Sequence, residues 1–312
     1  MDINGFSLDA LNMEDSNPGT VEYCPGGVGR NIAENLHRLG VDVRFIGVIG
    51  DDPGGELLKT SSARMGLNIA HSLFLKDSSR VTSVYIALMD SNGEMKLALS
   101  DMGIVERLTA EHLDGKAAVI EESAIVVLDT NLPPGIIGYA LDRFGRRSSG
   151  GPLFFLDAVS AKKAARAAPR IGHFDTLKLG SMEAAALAGT ALSGEGPELQ
   201  TRLKEAVRFF TGRGVRRVFI TLGKKGVFTG VEGGGFFTPV RYARPVNTSG
   251  GGDAFMAGIV YGTLRGWEDE KTVSFSSAMA RLTVQSKSTV SPEMGVENVM
   301  KDMDIFSQQE RS

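Results

Sequence analysis

Four short apolar runs constrain the fold of this chain more than any other feature. IVVL at 125–128, LFFL at 153–156, TLKL at 176–179 and VFITL at 218–222 are separated by stretches of helical character. A strand apolar at successive rather than alternate positions is buried on both faces, which parallel sheets covered by crossover helices achieve. Residues 43–49 read as another continuous apolar strand, and 1–7 as a strand already under way. Helices are expected over 27–39, where Ile32, Leu36 and Leu39 recur at helical spacing, and from the Asp51-Asp52-Pro53 start to about Met65. Two more are expected over 253–264 and 269–284. Residues 81–89 pair with 94–99 as a hairpin turning at Asn92-Gly93, and 226–229 pair with 236–239. The expectation is an α/β fold, a three-layer, mostly parallel sheet with helices on both faces. It forms a single domain over 1–312, with extra β material from about 3–24 and 80–103. In such sheets ligands bind at the carboxyl ends of the strands, where helix N-termini also point.

The 39 glycines matter because they cluster, at 26–27, 54–55, 233–235 and 250–252, marking sharp turns or close approaches. Apolar residues at 42% and charged residues at 23% supply a core and exclude global disorder. A formal net charge of −3 offers no cationic field to nucleic acid, and no apolar stretch approaches the roughly 20 residues of a membrane-spanning helix. A small molecule is therefore the expected partner, rather than nucleic acid or a membrane surface. The lone Cys24 cannot form an internal disulfide, and with no His near it in sequence it reads as a small buried hydrophobe rather than a catalytic thiol. Cytoplasmic residence is the corresponding expectation. His37, His71, His112 and His173 are dispersed without ligand spacing, which argues against zinc.

Three glycine-rich segments carry candidate chemistry. In NTSGGGD, 247–253, the glycines Gly250, Gly251 and Gly252 free backbone N–H groups to point into one cavity at a helix N-terminus. The helix dipole there stabilises an anion such as a phosphoryl group in transfer. Asp253, in the first turn, is placed to accept a proton from an attacking hydroxyl. The same residues equally describe a glycine-rich turn with an ordinary N-terminal helix acid. TLGKKG, 221–226, either brings Thr221, Gly223 and Gly226 to a nucleotide or simply turns a hairpin, and its spacing is not that of a Walker A loop. PGGVGRN, 25–31, lacks the third glycine of the dinucleotide fingerprint. Asn31, one helical turn in, either presents its amide to a sugar diol or faces solvent.

Taken together, GGVGRN near the start and NTSGGGDAFMAG near the end, about 220 residues apart with TLGKKG between them, resemble the two signatures of the ribokinase-like (PfkB) family of carbohydrate and nucleoside kinases. The resemblance covers nearly the whole chain. Further runs are similar to the branch of that family that phosphorylates the 5′-hydroxyl of pseudouridine: SNPG at 16–19, PGGVGRNIAENL, NGEM at 92–95, SDM at 100–102 and DAVSAKK at 157–163. The resemblance implies Asp253 as catalytic base and Gly250, Gly251 and Gly252 as its anion hole. It implies Asp2, Gly26, Gly27 and Asn31 as sugar contacts, with Ser83 and Lys163 as candidates for the base or ribose. Thr221, Gly223, Gly226 and Lys178 fall to ATP, and Glu183 matches the acidic member of an Asn-x-x-Glu motif that organises Mg²⁺ through water. ATP, Mg²⁺ and a monovalent cation such as K⁺ are the implied cofactors. The segments at about 3–24 and 80–103 would form a small β-sheet lid that excludes water and offers a homodimer contact.

Three positions depart from the family pattern. Gly180 stands in place of the Asn of Asn-x-x-Glu, Gly251 in place of a more usual alanine, and Ser249 in place of a threonine. The first removes one polar contact to phosphate or Mg²⁺, whereas the other two leave the backbone N–H groups in place. Two alternatives stand beside the leading reading. One is a kinase of another nucleoside or sugar, of ribose, adenosine or fructose type. The other, motivated by Gly180, is a sugar-binding or regulatory protein without transfer activity.

Overall fold

The computed structural model describes residues 1–76, 80–92, 94–145, 150–240 and 245–309, with 304–309 as backbone. The chain divides into two units. One takes Met1–Leu108, Ala243–Ala254 and Met279–Asn298, and the other Thr109–Tyr242, Phe255–Ala278 and Val299–Ser312.

In the first unit, β1 (Asp2–Ser7), β2 (Gly19–Cys24), β5 (Val84–Met89) and β6 (Met95–Asp101) form one sheet in the order β2-β1-β5-β6, while β3 (Val48–Gly50) pairs in parallel with β4 (Leu73–Leu75). The two segments expected to supply extra β material thus share a sheet, joined by the parallel pairing of β1 with β5 from Asp2↔Tyr85 to Phe6↔Met89. At the β5–β6 turn Asp90 Oδ1 accepts from the N–H groups of Asn92 and Glu94, while Gly93 lies outside the described residues. Strand alternation separates the two faces. Asn4, Ala87 and Met89 are buried, whereas Val21, Tyr23, Leu97 and Leu99 on the opposite face are each at least half exposed.

Residues 43–49 do not form the continuous strand expected of them. Arg44 makes a single bridge to Asn68, and the ladder breaks because Gly47 N donates to Ser72 Oγ instead of a strand carbonyl. Helix α1 (Val28–Arg38) buries the expected Ile32 and Leu36. Helix α2 (Pro53–Met65) begins on Asp52, whose side chain caps Gly55 N and also accepts from Thr82 N and Oγ1. Burial alone would raise the Asp52 carboxyl, but these donors outweigh it and hold the group below its ordinary value.

The apolar runs become neighbours in the second unit. β7 (Ile125–Asp129), β8 (Leu153–Asp157), β9 (Thr176–Gly180) and β10 (Arg217–Thr221) pair in parallel, and β11 (Val227–Val231) and β12 (Gly234–Thr238) extend the sheet antiparallel, in the order β12-β11-β10-β9-β8-β7. Phe155, Leu156, Leu177, Leu179, Phe219 and Ile220 are fully buried, as strands covered on both faces require. The short α3 (Ala110–Asp114) and α4 (Ala117–Glu121) precede the sheet. The crossovers carry α5 (Pro134–Phe144), α6 (Ala161–Ala164), α7 (Ser181–Ala188) and α8 (Gly196–Thr211). After the sheet come α9 (Gly251–Leu264), α10 (Asp269–Val284) and α11 (Val296–Gln309).

Candidate functional site

The glycine cluster is built as a helix start, and it starts earlier than its sequence suggests. α9 begins at Gly251 rather than Asp253, with Gly250 as the turn residue at φ +79° and its carbonyl accepting from Ala254 N at 2.9 Å. Residues well before and after it force this. Asn247 Oδ1 accepts from Ser249 N, Asn247 Nδ2 donates to Lys287 O, and both Val246 N and Asn247 N donate to Val284 O. Gly250 is then pressed against the Thr289 carbonyl so closely that a Cβ would lie 1.9 Å from its oxygen. The first N–H groups of α9 have no intrahelical acceptor and carry the positive end of the dipole, so an anion is stabilised there.

Asp253, in that first turn and only 9% exposed, is held by a bond from far away in sequence: Asn31 Nδ2 donates to its Oδ2 at 2.9 Å. Asn31 Oδ1 accepts from Arg30 Nη1 at 3.3 Å. Both ends of the Asn31 amide, which the sequence reading turns toward a sugar diol, are therefore already bonded within the protein. Arg30 in turn meets Glu34 at 2.5 Å. Sequence reasoning missed this polar line. Its only local signal is the string Arg30, Asn31, Glu34 and Asn35, too polar for the buried face of a helix.

The pair Gly26-Gly27 has two separate reasons. A Cβ on Gly26 would fall 2.1 Å from the Asp2 carboxylate, so glycine makes room for that acid, and Gly27 caps α1 at φ +102°. Burial raises the Asp2 carboxyl above its ordinary value, with the Arg30 charge opposing. Asn4, one alternation further along β1, buries its Nδ2 without a hydrogen-bond partner, and so does the Ser83 Oγ. Asn4 joins Ser83 as a donor poised for a polar ligand, a position that the period of two from Asp2 makes legible. Burial also pushes the Cys24 thiol up, which opposes thiolate chemistry.

In the second unit the candidate residues cluster at the carboxyl ends of β7 to β10. Lys163 Nζ donates to Asn131 Oδ1 at 2.7 Å, and burial lowers its ammonium pKa against the opposing charge of Asp129. Beside them Val159 is the one described non-glycine residue with positive φ, +57°, just after Asp157. Lys178, brought forward as an ATP contact, pairs with Asp157 at 3.0 Å in a nearly buried ion pair. Gly223, at φ +57°, has open space where a side chain would stand, as a close approach to a nucleotide requires. Gly226 instead packs against the Thr238 carbonyl and serves the hairpin. Thr221 Oγ1 donates to Leu179 O.

Glu183 lies in the first turn of α7, its Oε2 standing 2.2 Å from where a Cβ on Gly180 would be. The carboxylate thus occupies the space of the absent Asn. No group of three or more His, Cys, Asp or Glu among the described residues could hold a metal ion by itself. One carboxylate that leaves most of the coordination to water and phosphate is still the donor set that suits Mg²⁺.

Residues 1–294 match the pfkB family of carbohydrate kinases. A pseudouridine kinase of Escherichia coli (strain K12) is 32% identical over 302 residues, covering 96% of this chain and 92% of that protein. An uncharacterized sugar kinase of the same organism, YeiI, is also 32% identical, over 301 residues, covering 96% and 80%. The solved structure of Arabidopsis thaliana ribokinase complexed with ribose and ATP is similar at a TM-score of 0.77 and 21% identity, covering 97% of this chain and 95% of that one. The α/β architecture expected from the apolar runs is thus a ribokinase-like fold.

Proposed function

Because the chain belongs to the pfkB family of carbohydrate kinases, and so is a phosphotransferase acting on a hydroxyl group, we propose that it transfers the γ-phosphoryl group of ATP to the 5′-hydroxyl of pseudouridine. The observation that carries the reading is Asp253, a carboxylate fixed by Asn31 in the first turn of a helix whose leading N–H groups stabilise an anion. The 5′-oxygen attacks the γ-phosphorus, the bond to the β-phosphate oxygen breaks, ADP leaves, and Asp253 takes the hydroxyl proton. The amides of Gly250, Gly251 and Gly252 stabilise the charge in transfer. Asp2 and Asn4 hold sugar hydroxyls, and Ser83, Asn131 and Lys163 are the polar groups offered to ribose and base. Gly223 and Thr221 line the nucleotide. When Mg²⁺ is bound, held through water by Glu183, it supplies neutralisation of the phosphate oxygens. K⁺ near the Gly250 loop belongs to the same reading.

The choice of pseudouridine rests on the similarity to the E. coli enzyme together with runs such as DAVSAKK at 157–163. The equal identity to YeiI supports a second reading, a sugar acceptor. Initial rates with Mg²⁺, K⁺ and ATP across pseudouridine, uridine, adenosine, ribose and fructose phosphate separate the two, and a preference for any other acceptor refutes the first. Asp253→Asn is expected to bind substrates but turn over roughly 10²-fold more slowly; undiminished turnover removes Asp253 from the chemistry. We also propose that the four-stranded sheet is a lid that pairs two copies of the chain, because its Val21, Tyr23, Leu97 and Leu99 face is apolar and exposed. Analytical ultracentrifugation should show a dimer that Leu97→Lys with Leu99→Lys splits; a monomeric parent protein refutes it.

A further inference from the structure

Helix α1 buries a charged pair. Arg30 and Glu34 are only 5% and 4% exposed, and a buried ion pair is commonly replaceable by apolar side chains without loss of stability. Arg30 Nη2 sits 2.5 Å from Glu34 Oε2, and Arg38 Nη2 holds Glu34 Oε1 at 2.7 Å from the other side. Glu34 is thereby fixed, and it fixes the guanidinium. Arg30 Nη1 reaches both the Pro25 carbonyl and Asn31 Oδ1 at 3.3 Å, while Arg30 Nε is buried without an acceptor. The side chain is thus placed by what its Nη1 must reach, not by satisfaction of all its own donors.

An Asn amide has an acceptor end and a donor end of nearly the same shape. With a guanidinium on the oxygen, the NH₂ must point the other way, and in this protein it points at Asp253 Oδ2. Without the guanidinium only the carboxylate itself selects the amide's orientation, the buried Asn31 oxygen is left without its donor, and the Asn31–Asp253 contact loses one of its two anchors. We propose that Arg30, locked by Glu34, is a positioning residue for phosphotransfer: it orients the Asn31 amide and through it aims the Asp253 carboxylate at the acceptor hydroxyl. Arg30 touches no reacting atom, and the inference rests on Asp253 being the base.

The test is steady-state kinetics on the full chain with Mg²⁺, ATP and the fastest acceptor of the panel. Arg30→Met is expected to lower kcat roughly 10- to 100-fold, the range for a misaimed catalytic group, with both KM values near those of the parent protein. Arg30→Lys, which keeps a donor for Asn31 Oδ1, should regain much of the loss. Asn31→Ala and the double variant Asn31→Ala/Arg30→Met should turn over equally, because Arg30 acts through Asn31. Losses that multiply in the double variant overturn the relay, as does an unchanged kcat in Arg30→Met. If Arg30→Met does not fold, Glu34→Gln, which preserves volume and releases the guanidinium, carries the same comparison in the Asn31→Ala background. An Asp253→Asn protein at parental turnover overturns the base assignment instead, so the two failures are distinguishable.

Discussion

Gly250→Ala and Gly251→Ala add the same methyl group to adjacent residues of the same turn, and the structure separates their outcomes. At Gly250 an alanine must hold φ at +79°, which costs about 1–2 kcal/mol for a residue with a Cβ. Its methyl would lie 1.9 Å from the Thr289 oxygen and 2.8 Å from the carbonyl carbon. Backbone cannot rotate aside as a side chain can, and Asn247 ties the loop to Ser249 and Lys287, so roughly another 1–3 kcal/mol of overpacking follows. The sum of about 2–5 kcal/mol corresponds to a fall in Tm of roughly 3–8 °C for a chain of this size. The loop must also shift, and a displacement near 1 Å of the α9 amides costs up to about 10²-fold in turnover. At Gly251 the backbone is helical, where alanine is favoured over glycine by about 0.5–1 kcal/mol. Its methyl crowds Val284 Cγ1, a side-chain atom at 2.9 Å, and meets the Ala280 carbonyl at an ordinary 3.9 Å, and the two effects nearly cancel, leaving Tm within a few degrees of the parent protein. Thermal melts followed by circular dichroism, with initial rates on the same preparations, measure both. A Gly250→Ala protein that melts and turns over like the parent, or a Gly251→Ala protein that is the worse of the two, refutes the reasoning.

Gly180→Asn restores the residue that the family pattern expects but drives its Cβ to 2.2 Å from Glu183 Oε2. The displaced carboxylate should raise the Mg²⁺ concentration for half-maximal rate, and a magnesium titration that shows improved activity would contradict that placement. Asp52→Ala removes the cap of α2 and is expected to cost about 1 kcal/mol by urea unfolding at neutral pH. Because the donors around Asp52 hold its folded carboxyl below the ordinary value, its contribution is present above about pH 4 and is lost as pH falls through the folded value. The stability difference between variant and parent should therefore shrink as pH falls below about 4; a constant difference would refute the sign.

Local pattern carried the second unit's sheet. Runs of successive apolar residues without polar alternation are stable only when covered on both faces, so 125–128, 153–156 and 218–222 could be assigned to neighbouring parallel strands before any pairing was known, whereas TLKL at 176–179 alternates polar and apolar residues and carries a weaker signal of the same kind. Turn chemistry carried the hairpins, and the glycine pairs and triplet marked real turns at Gly27 and Gly250. Where long-range bonds compete, local pattern fell short. Residues 43–49 are apolar enough for a strand, yet Ser72 diverts the Gly47 N–H. α9 starts two residues early because Asn247, Lys287 and Thr289 set its entry.

The candidate site shows the same division. The residue types that chemistry needs, an acid after three glycines and an Asn behind a glycine pair, stand in the sequence as they stand in the site. What each side chain bonds to was decided by tertiary structure alone. Gly26 is glycine because Asp2 lies beside it, Glu183 folds over Gly180 because no side chain stands there, and Asn31 turns its NH₂ to Asp253, 222 positions away, with Arg30 on its oxygen. Periodicity and capping register forces over a few residues. A hydrogen bond between distant residues depends on where the folded chain brings them, and that only the packed structure specifies.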